Sequence, residues 1–334
     1  MKNRLKSIIW ILTGACNLNC LHCYAKRFLS WQPEVSEDEV RRVLSEALEL
    51  GLEWVNFSGG ELLLYKPWSL RVLAWLSEEG VDSSLVTNAM FIDNEKASYI
   101  SKNNIHVYVS IDGTKETHEK HRGPGTFDAV IRGIEKLKAH NASFTTIMAV
   151  SRLNYHVVKD FVRLSKELGA SSVAIIPVMP FGNALVNEVW VRSREYMKAL
   201  LDFVEALDEY EISGNTWCTP WSKYFFKSKR LHAGNCRFTE GIDIGPDGSV
   251  LLCDVLDIKL GNIREKNLKE VITEVNNNEL VKKLREVPTT RPCRSCVFRE
   301  LCLGGCYARA LQRWGTLEGD PLCPLVSLSR FRES

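Results

Sequence analysis

Between residues 7 and 178 short β-rich apolar runs alternate with longer amphipathic runs, and this alternation restricts the possible folds more than any other feature of the chain. Ser7 to Thr13 (SIIWILT), Trp54 to Ser58 (WVNFS), Ser83 to Thr87 (SSLVT), His106 to Asp112 (HVYVSID), Phe144 to Val150 (FTTIMAV) and Ser172 to Val178 (SVAIIPV) read as six strands. The runs between them carry helix punctuation. Ser36 to Leu50 opens on a capping box with Glu39 and stops at Gly51; Pro67 to Glu79 stops at Gly80. Ala129 to His140 and Tyr155 to Leu168 have apolar residues at helical spacing, and the second stops at Gly169. Strand, helix and strand in this order give βαβ crossovers and a parallel sheet, with binding loops at the carboxyl ends of the strands. Six units are two short of a closed eight-fold barrel. The expectation is therefore an α/β chain with an open, partial (β/α)6 barrel over residues 1–189 and a linking helix region at 190–217.

Composition excludes several classes. With 45% hydrophobic and 25% charged residues the chain is neither disordered nor fibrous. A net charge of +2, with both signs interspersed, leaves no basic footprint for nucleic acid. No apolar run reaches the ~20 residues of a membrane helix, and the longest, Val173 to Val186, is broken by Pro177, Pro180 and Gly182. Lys2, Arg4 and Lys6 precede a short apolar stretch without a usable cleavage site, so that stretch reads as a strand and not a signal peptide. A cytoplasmic location is expected, with no membrane partner.

Eleven cysteines is an unusual number, and being odd it argues against a closed disulfide framework. Cys16, Cys20 and Cys23 (CNLNCLHC) follow the first strand directly. Three thiolates in eight residues converge on one point only if the loop wraps around it, as loops that hold iron–sulfur clusters do. Three ligands leave one iron of a cubane open to another ligand. A zinc site with His22 as the fourth ligand is the competing reading. From Cys218 onward the remaining eight cysteines occur among Gly-rich turns, with helical periodicity only at 266 to 286. This second module, 218–334, has little apolar core of its own and needs metal to hold it together.

With its Cys-x3-Cys-x2-Cys spacing after the first strand, the chain resembles the radical S-adenosylmethionine (SAM) superfamily. The resemblance implies a [4Fe-4S] cluster on Cys16, Cys20 and Cys23 whose open iron chelates SAM, and reductive cleavage of SAM to a 5′-deoxyadenosyl radical. His22 stands where the family has an aromatic residue, and its imidazole would pack over the adenine. Ser58-Gly59-Gly60-Glu61 matches the GGE motif, which would place Gly60 and Glu61 against the methionine amino group. Thr87-Asn88-Ala89 stands where Thr-Asn-Gly is common, which implicates Asn88. Ser110 and Arg122 match residues that contact the carboxylate and ribose, and a guanidinium suits a carboxylate. His118 and His121 read as surface histidines.

Cys236, Cys253, Cys293, Cys296, Cys302, Cys306 and Cys323 have the spacing of the SPASM extension. By that resemblance one auxiliary cluster takes Cys236, Cys253 and Cys306, and another takes Cys293, Cys296, Cys302 and Cys323. Ile242 to Cys253 (IDIGPDGSVLLC) reads as a β-hairpin turning at Asp247-Gly248. Cys218 is left over, and parity assigns it to the first auxiliary cluster, giving three cubanes in all; a free buried thiol is the alternative. Asp254 follows Cys253 where related enzymes place a general base. The expected function is a radical SAM enzyme that takes hydrogen from a peptide or protein substrate. The enzymatic alternative is a tetrapyrrole (haem) or metal-cofactor biosynthesis enzyme acting on a small-molecule precursor. Expected partners are an external one-electron donor of ferredoxin or flavodoxin type and a separate peptide-recognition protein. An electron carrier and a zinc scaffold are the non-enzymatic readings; a carrier has no use for GGE, Ser110 or Arg122.

Overall fold

The computed structural model describes residues 4–238 and 240–330; Lys2 lies outside them. All six expected strands are present. They are β1 (Ser7–Thr13), β2 (Trp54–Gly59), β3 (Asp82–Thr87), β4 (His106–Ser110), β5 (Phe144–Val150) and β6 (Ser172–Pro177), paired in parallel in chain order. Most of their side chains are buried; β4 buries Val107 and Val109 on one face and leaves His106, Tyr108 and Ser110 half-buried on the other. The capping box of the first long helix, Glu37–Glu49, forms as read: Ser36 accepts from the Glu39 amide and Glu39 reaches back to the Ser36 amide.

The sheet is longer than six strands. Short strands β7 (Gly214–Thr216) and β8 (Leu231–His232) extend it beyond β6, both parallel. On the other side, β9 (Gly241–Ile244) pairs in parallel with β1, and β10 (Ser249–Leu251) and β11 (Lys259–Asn262) follow antiparallel. The order is β11-β10-β9-β1-β2-β3-β4-β5-β6-β7-β8, and no pairing among the described residues closes it. The expected hairpin is therefore β9–β10, and it is welded onto the barrel. Its residues Ile242, Ile244 and Val250 share the barrel's own core with Ile8, Trp10 and Leu12, which is why the carboxyl-terminal part needs no large core of its own. The periodicity at 266 to 286 forms two helices, Leu268–Asn277 and Glu279–Leu284, because Asn278 is extended and caps the second; it is not confined there, since Tyr307–Trp314 and Pro324–Arg330 are helical too.

Candidate active site

The loop after β1 is fixed from every side. The Leu21 amide donates to the His121 carbonyl at 2.9 Å, and the Asn183 amide donates to the Cys23 carbonyl at 3.0 Å. The Asn183 side chain donates to the Asn19 side chain and the Cys20 carbonyl, and the Asn187 side chain donates to the Leu21 carbonyl. Gly60 lies directly under the loop, where a Cβ would stand 1.8 Å from the Ala15 carbonyl oxygen; no other residue fits. Glu61 is fully buried. Its carboxylate accepts from the Thr87 hydroxyl at 2.8 Å, the Asn88 amide at 2.9 Å and the Leu63 amide at 3.2 Å. The Asn88 side chain in turn donates to Asn17 of the cysteine loop at 2.9 Å. The end of β2, the end of β3 and the cysteine loop thus form one braced unit. Ala89 adopts a left-handed conformation (φ 58°), which explains why glycine is common there.

The three thiols of the loop lie close enough to interact electrostatically. Burial pushes Cys16 up and Cys20 up to about 11, with Cys23 adding to both and Arg122 opposing. A thiol held protonated when free becomes a thiolate on binding iron, so cluster binding here is coupled to proton release. Facing these sulfurs is a buried charge cluster on the helix Lys115–Arg122, where the expectation of surface histidines fails: His118 and His121 are 0% and 1% exposed. They fall at i and i+3 with Arg122 beside them, so one face of this helix turns inward. Arg122 Nε donates to Asp112 Oδ2 at 2.6 Å, and Asp112 Oδ1 accepts from the Ala149 amide at 3.0 Å. Burial alone would raise the Asp112 carboxyl, but the Arg122 guanidinium holds it far below the usual carboxylate range. His121 Nδ1 meets the Thr117 carbonyl at 2.8 Å and so carries a proton, and Nε2 lies 2.6 Å from the Ser151 hydroxyl. Burial lowers His22 to about 3 and His118 to about 4, so both rings are neutral near pH 7. His22 Nε2 lies 3.8 Å from Asp112, and its buried Nδ1 has no partner among the described residues, an orphan polar atom beside the cysteine loop. Ser110 ends β4, half-buried. Nothing in composition or strand patterning pointed to the helix 115–122; the His118–His121–Arg122 spacing was the signal available.

The remaining cysteines sort into two groups. Burial raises the Cys218 thiol well above its ordinary value, with Cys306 and Cys236 adding to it; Cys253 is raised by burial, Asp254 and Asp243, and then by Cys218 and Cys306. Cys218, Cys236, Cys253 and Cys306 therefore share one neighbourhood. Cys218 has φ 54°, a conformation unusual for a non-glycine residue, and its carbonyl accepts from Arg309 at 2.5 Å. Arg309 is held by Asp320 at 2.7 Å, both buried. Cys293, Cys296, Cys302 and Cys323 line one pocket with Trp221, Tyr224 and Phe298. Burial lifts Cys293 to about 11 and Cys302 and Cys323 to about 12. Three thiols in one loop and two sets of four, in mostly buried apolar surroundings, make a donor set suited to iron–sulfur clusters.

The first loop and the first auxiliary group touch directly. Tyr24, next to Cys23, donates its hydroxyl to Asp254 Oδ2 at 2.6 Å, and Asp254 follows Cys253. Arg27 Nη2 donates to the Asp254 carbonyl at 2.6 Å and Arg27 Nε to Asp257 at 2.8 Å. The Asp254 amide donates to Asp243 at 2.8 Å, and the Cys253 sulfur lies within 4.8 Å of both carboxylates. Sequence reading missed Tyr24 and Asp243, because neither stands out until the sheet brings residue 24 beside residue 254.

Comparison with known proteins agrees with this geometry. The Radical SAM superfamily model matches residues 10–180, and the SPASM model, an iron–sulfur cluster-binding domain, matches residues 236–297. The chain is 29% identical to the AdoMet-dependent heme synthase of Methanosarcina barkeri, with 97% of each chain covered. It is 28% identical to the mycofactocin maturase of Mycolicibacterium smegmatis, over 95% of this chain and 82% of that one. Its fold is similar to that of anSMEcpe solved with bound AdoMet and the Cp18Cys peptide, with a TM-score of 0.75 at 23% identity over 99% of this chain and 98% of that one. Among the described residues no helix is long and apolar enough to cross a membrane. The chain belongs to the radical SAM superfamily and carries its SPASM extension, and it is an enzyme whose cofactors are [4Fe-4S] clusters and S-adenosylmethionine.

Proposed function

We propose that this enzyme oxidises a side chain of an iron-tetrapyrrole precursor. The observation that carries an oxidative reading is the Tyr24–Asp254 hydrogen bond, which sets the SAM loop and the first auxiliary group side by side. A substrate held there lies next to both a hydrogen-atom acceptor and an electron acceptor. Likeness to heme synthases along nearly the whole of both chains supports the tetrapyrrole as substrate class. Cys16, Cys20 and Cys23 would hold the SAM cluster. Cys218, Cys236, Cys253 and Cys306 would hold one auxiliary cluster, and Cys293, Cys296, Cys302 and Cys323 the other. When bound, these groups and SAM supply a radical that takes one hydrogen atom and an acceptor for one electron. A propionate side chain that loses one hydrogen atom and one electron, with carbon dioxide leaving, becomes a vinyl group.

The protein's part is orientation and charge. Arg122 would take the SAM carboxylate with the donors that Asp112 leaves, and the Gly60–Glu61 backbone would meet the amino group. Asn88 and Ser110 complete that wall, and His22 offers its unpartnered Nδ1 to the nucleoside. Glu61 acts through its brace on Thr87 and Asn88. Tyr24 and Asp254 would orient the substrate side chain. The electron that starts each turnover would come from an external donor of ferredoxin or flavodoxin type.

Asp254 also favours a second reading, in which a peptide is oxidised and the carboxylate takes the proton its radical loses; peptide-modifying relatives support it. One experiment separates the two. Decarboxylation releases no proton to a base, so with an iron coproporphyrin, SAM and dithionite under argon, Asp254→Asn should keep most of the turnover to a vinyl product. Failure of the wild-type protein to convert the porphyrin would refute the tetrapyrrole reading. Loss of conversion in Asp254→Asn alone would show that Asp254 does more than orient.

A further inference from the structure

Among the described residues, Arg237 and Arg309 are buried near the cysteines and Arg122 is nearly so; two of the three are paired with acids, Arg122 with Asp112 at 2.6 Å and Arg309 with Asp320 at 2.7 Å. Arg237, which follows Cys236, is different. It is 4% exposed, and its Nε donates to the Gly305 carbonyl at 3.1 Å and its Nη1 to the Leu284 carbonyl at 3.0 Å. Its Nη2 donates to the Leu317 carbonyl, and the guanidinium carbon sits 5.2 Å from the centre of the Tyr307 ring. Every one of these partners is neutral. Glu286 and Glu318 line the cavity beside Arg237, but among the described residues neither forms an ion pair with it, and Glu318 is engaged by Thr289 and the Thr290 amide.

A buried cation without an anion is costly, and proteins keep one only where a negative group balances it. The groups around this guanidinium that turn negative on binding iron are the thiols of Cys236, which it follows in the chain, and of Cys306, next to the Gly305 carbonyl it binds; Cys302 also acts on it electrostatically. The Gly305 carbonyl that it binds belongs to the peptide leading into Cys306, and the remaining carbonyls hold its plane in place. Arg309 and Asp320 cancel each other, so they do not replace this charge.

We infer that Arg237 is the counter-cation of the first auxiliary cluster and holds its reduction potential up. This rests on the proposed ligand set of Cys218, Cys236, Cys253 and Cys306. Reduction adds negative charge to a thiolate-bound cluster, and a fixed cation in a poorly solvated site favours that added charge. A raised potential makes this cluster the better acceptor for the electron that a substrate radical gives up. Arg237 lies outside the residues proposed to hold SAM and the substrate, so its expected effect is on the potential.

The test is an anaerobic redox titration of the full-length reconstituted protein with dithionite, followed by electron paramagnetic resonance, with iron counted first. Arg237→Gln should keep its iron and move one auxiliary midpoint to a more negative potential, while the SAM-responsive cluster stays where it was. Arg237→Lys, which keeps the charge but cannot span three carbonyls, should titrate as wild type. Full iron with unmoved midpoints in Arg237→Gln would overturn the inference. If Arg237→Gln loses iron, Arg237→Lys decides: retained iron with wild-type midpoints supports a charge role, and lost iron shows that Arg237 is only a hydrogen-bonding brace. An iron count that Cys253→Ala leaves at the wild-type value would instead refute the ligand set and leave no cluster for Arg237 to act on.

Discussion

Replacing Arg122 with glutamine strips Asp112 of its principal counter-charge. Asp112 is fully buried and keeps only the Ala149 amide on Oδ1 and the more distant His22 on Oδ2. Removing one member of a buried pair costs about 3–5 kcal/mol, because the other charge stays buried and unpaired. At about 2 °C per kcal/mol for a chain of this size, the melting temperature of Arg122→Gln should fall by roughly 6–10 °C. The sign of the pH effect follows from the same geometry. In the wild type the Asp112 carboxyl lies below its unfolded value, so it contributes stability above that value and loses it as pH falls. Without Arg122, burial dominates and the carboxyl rises above its unfolded value, which destabilises the fold at neutral pH and relents on acidification. The stability gap between the two proteins should therefore narrow between pH 7 and pH 5. The double variant Arg122→Gln/Asp112→Asn should recover most of the melting temperature, since no unpaired charge remains. It should not recover SAM binding, because the guanidinium beside Cys20 and Cys23 is still gone. Thermal unfolding and SAM binding, measured anaerobically at several pH values, check both halves. A single variant within 2 °C of wild type, or a double variant no more stable than the single, would refute the reasoning.

In Gly60→Ala the new Cβ would begin 1.8 Å from the Ala15 oxygen, where real contacts stay above 3.0 Å, so the cysteine loop must retreat by about 1.2 Å. Such overpacking costs about 1–3 kcal/mol, and the variant should lose iron from the first cluster while keeping the auxiliary ones; full iron and full SAM cleavage would count against the brace. Cys218→Ala should keep SAM cleavage but show a changed or oxygen-labile auxiliary signal and slower substrate turnover, whereas an unchanged signal with normal turnover would make Cys218 a packing residue. In Tyr24→Phe the Asp254 carboxylate loses its 2.6 Å partner; uncoupled SAM cleavage should persist while conversion of substrate falls, and equal loss of both would place Tyr24 in the SAM site instead.

The parallel core could be read in advance because its signals are local. Six apolar runs mark strands, Ser36 and Glu39 cap a helix, and Gly51, Gly80 and Gly169 end helices. What escaped reading depends on partners far away in sequence. β9 pairs with β1 across more than two hundred residues, and its four residues, Gly241–Ile244, carry no periodicity that names that neighbour. The helix Lys115–Arg122 is so polar that it looks like a solvated surface, yet His118, His121 and Arg122 turn inward because Asp112 waits there. The cysteine spacings gave the candidate ligands, but spacing alone could not seat Cys218. Its left-handed backbone and the Arg309 hydrogen bond hold it where it interacts with Cys306 and Cys236. Glu61 shows the opposite case, a motif residue whose carboxylate is taken up by Thr87, Asn88 and Leu63, so that its visible work is mechanical.

Three cluster sites on eleven cysteines are the central claim, and iron and sulfide counts on anaerobically reconstituted protein test it most directly. Three cubanes require about twelve irons and as many sulfides per chain. Changing Cys16, Cys20 and Cys23 together to alanine should lower the count to about eight and abolish 5′-deoxyadenosine formation, with the auxiliary signals intact. A wild-type count near eight, or a triple variant that still holds about twelve, would contradict it.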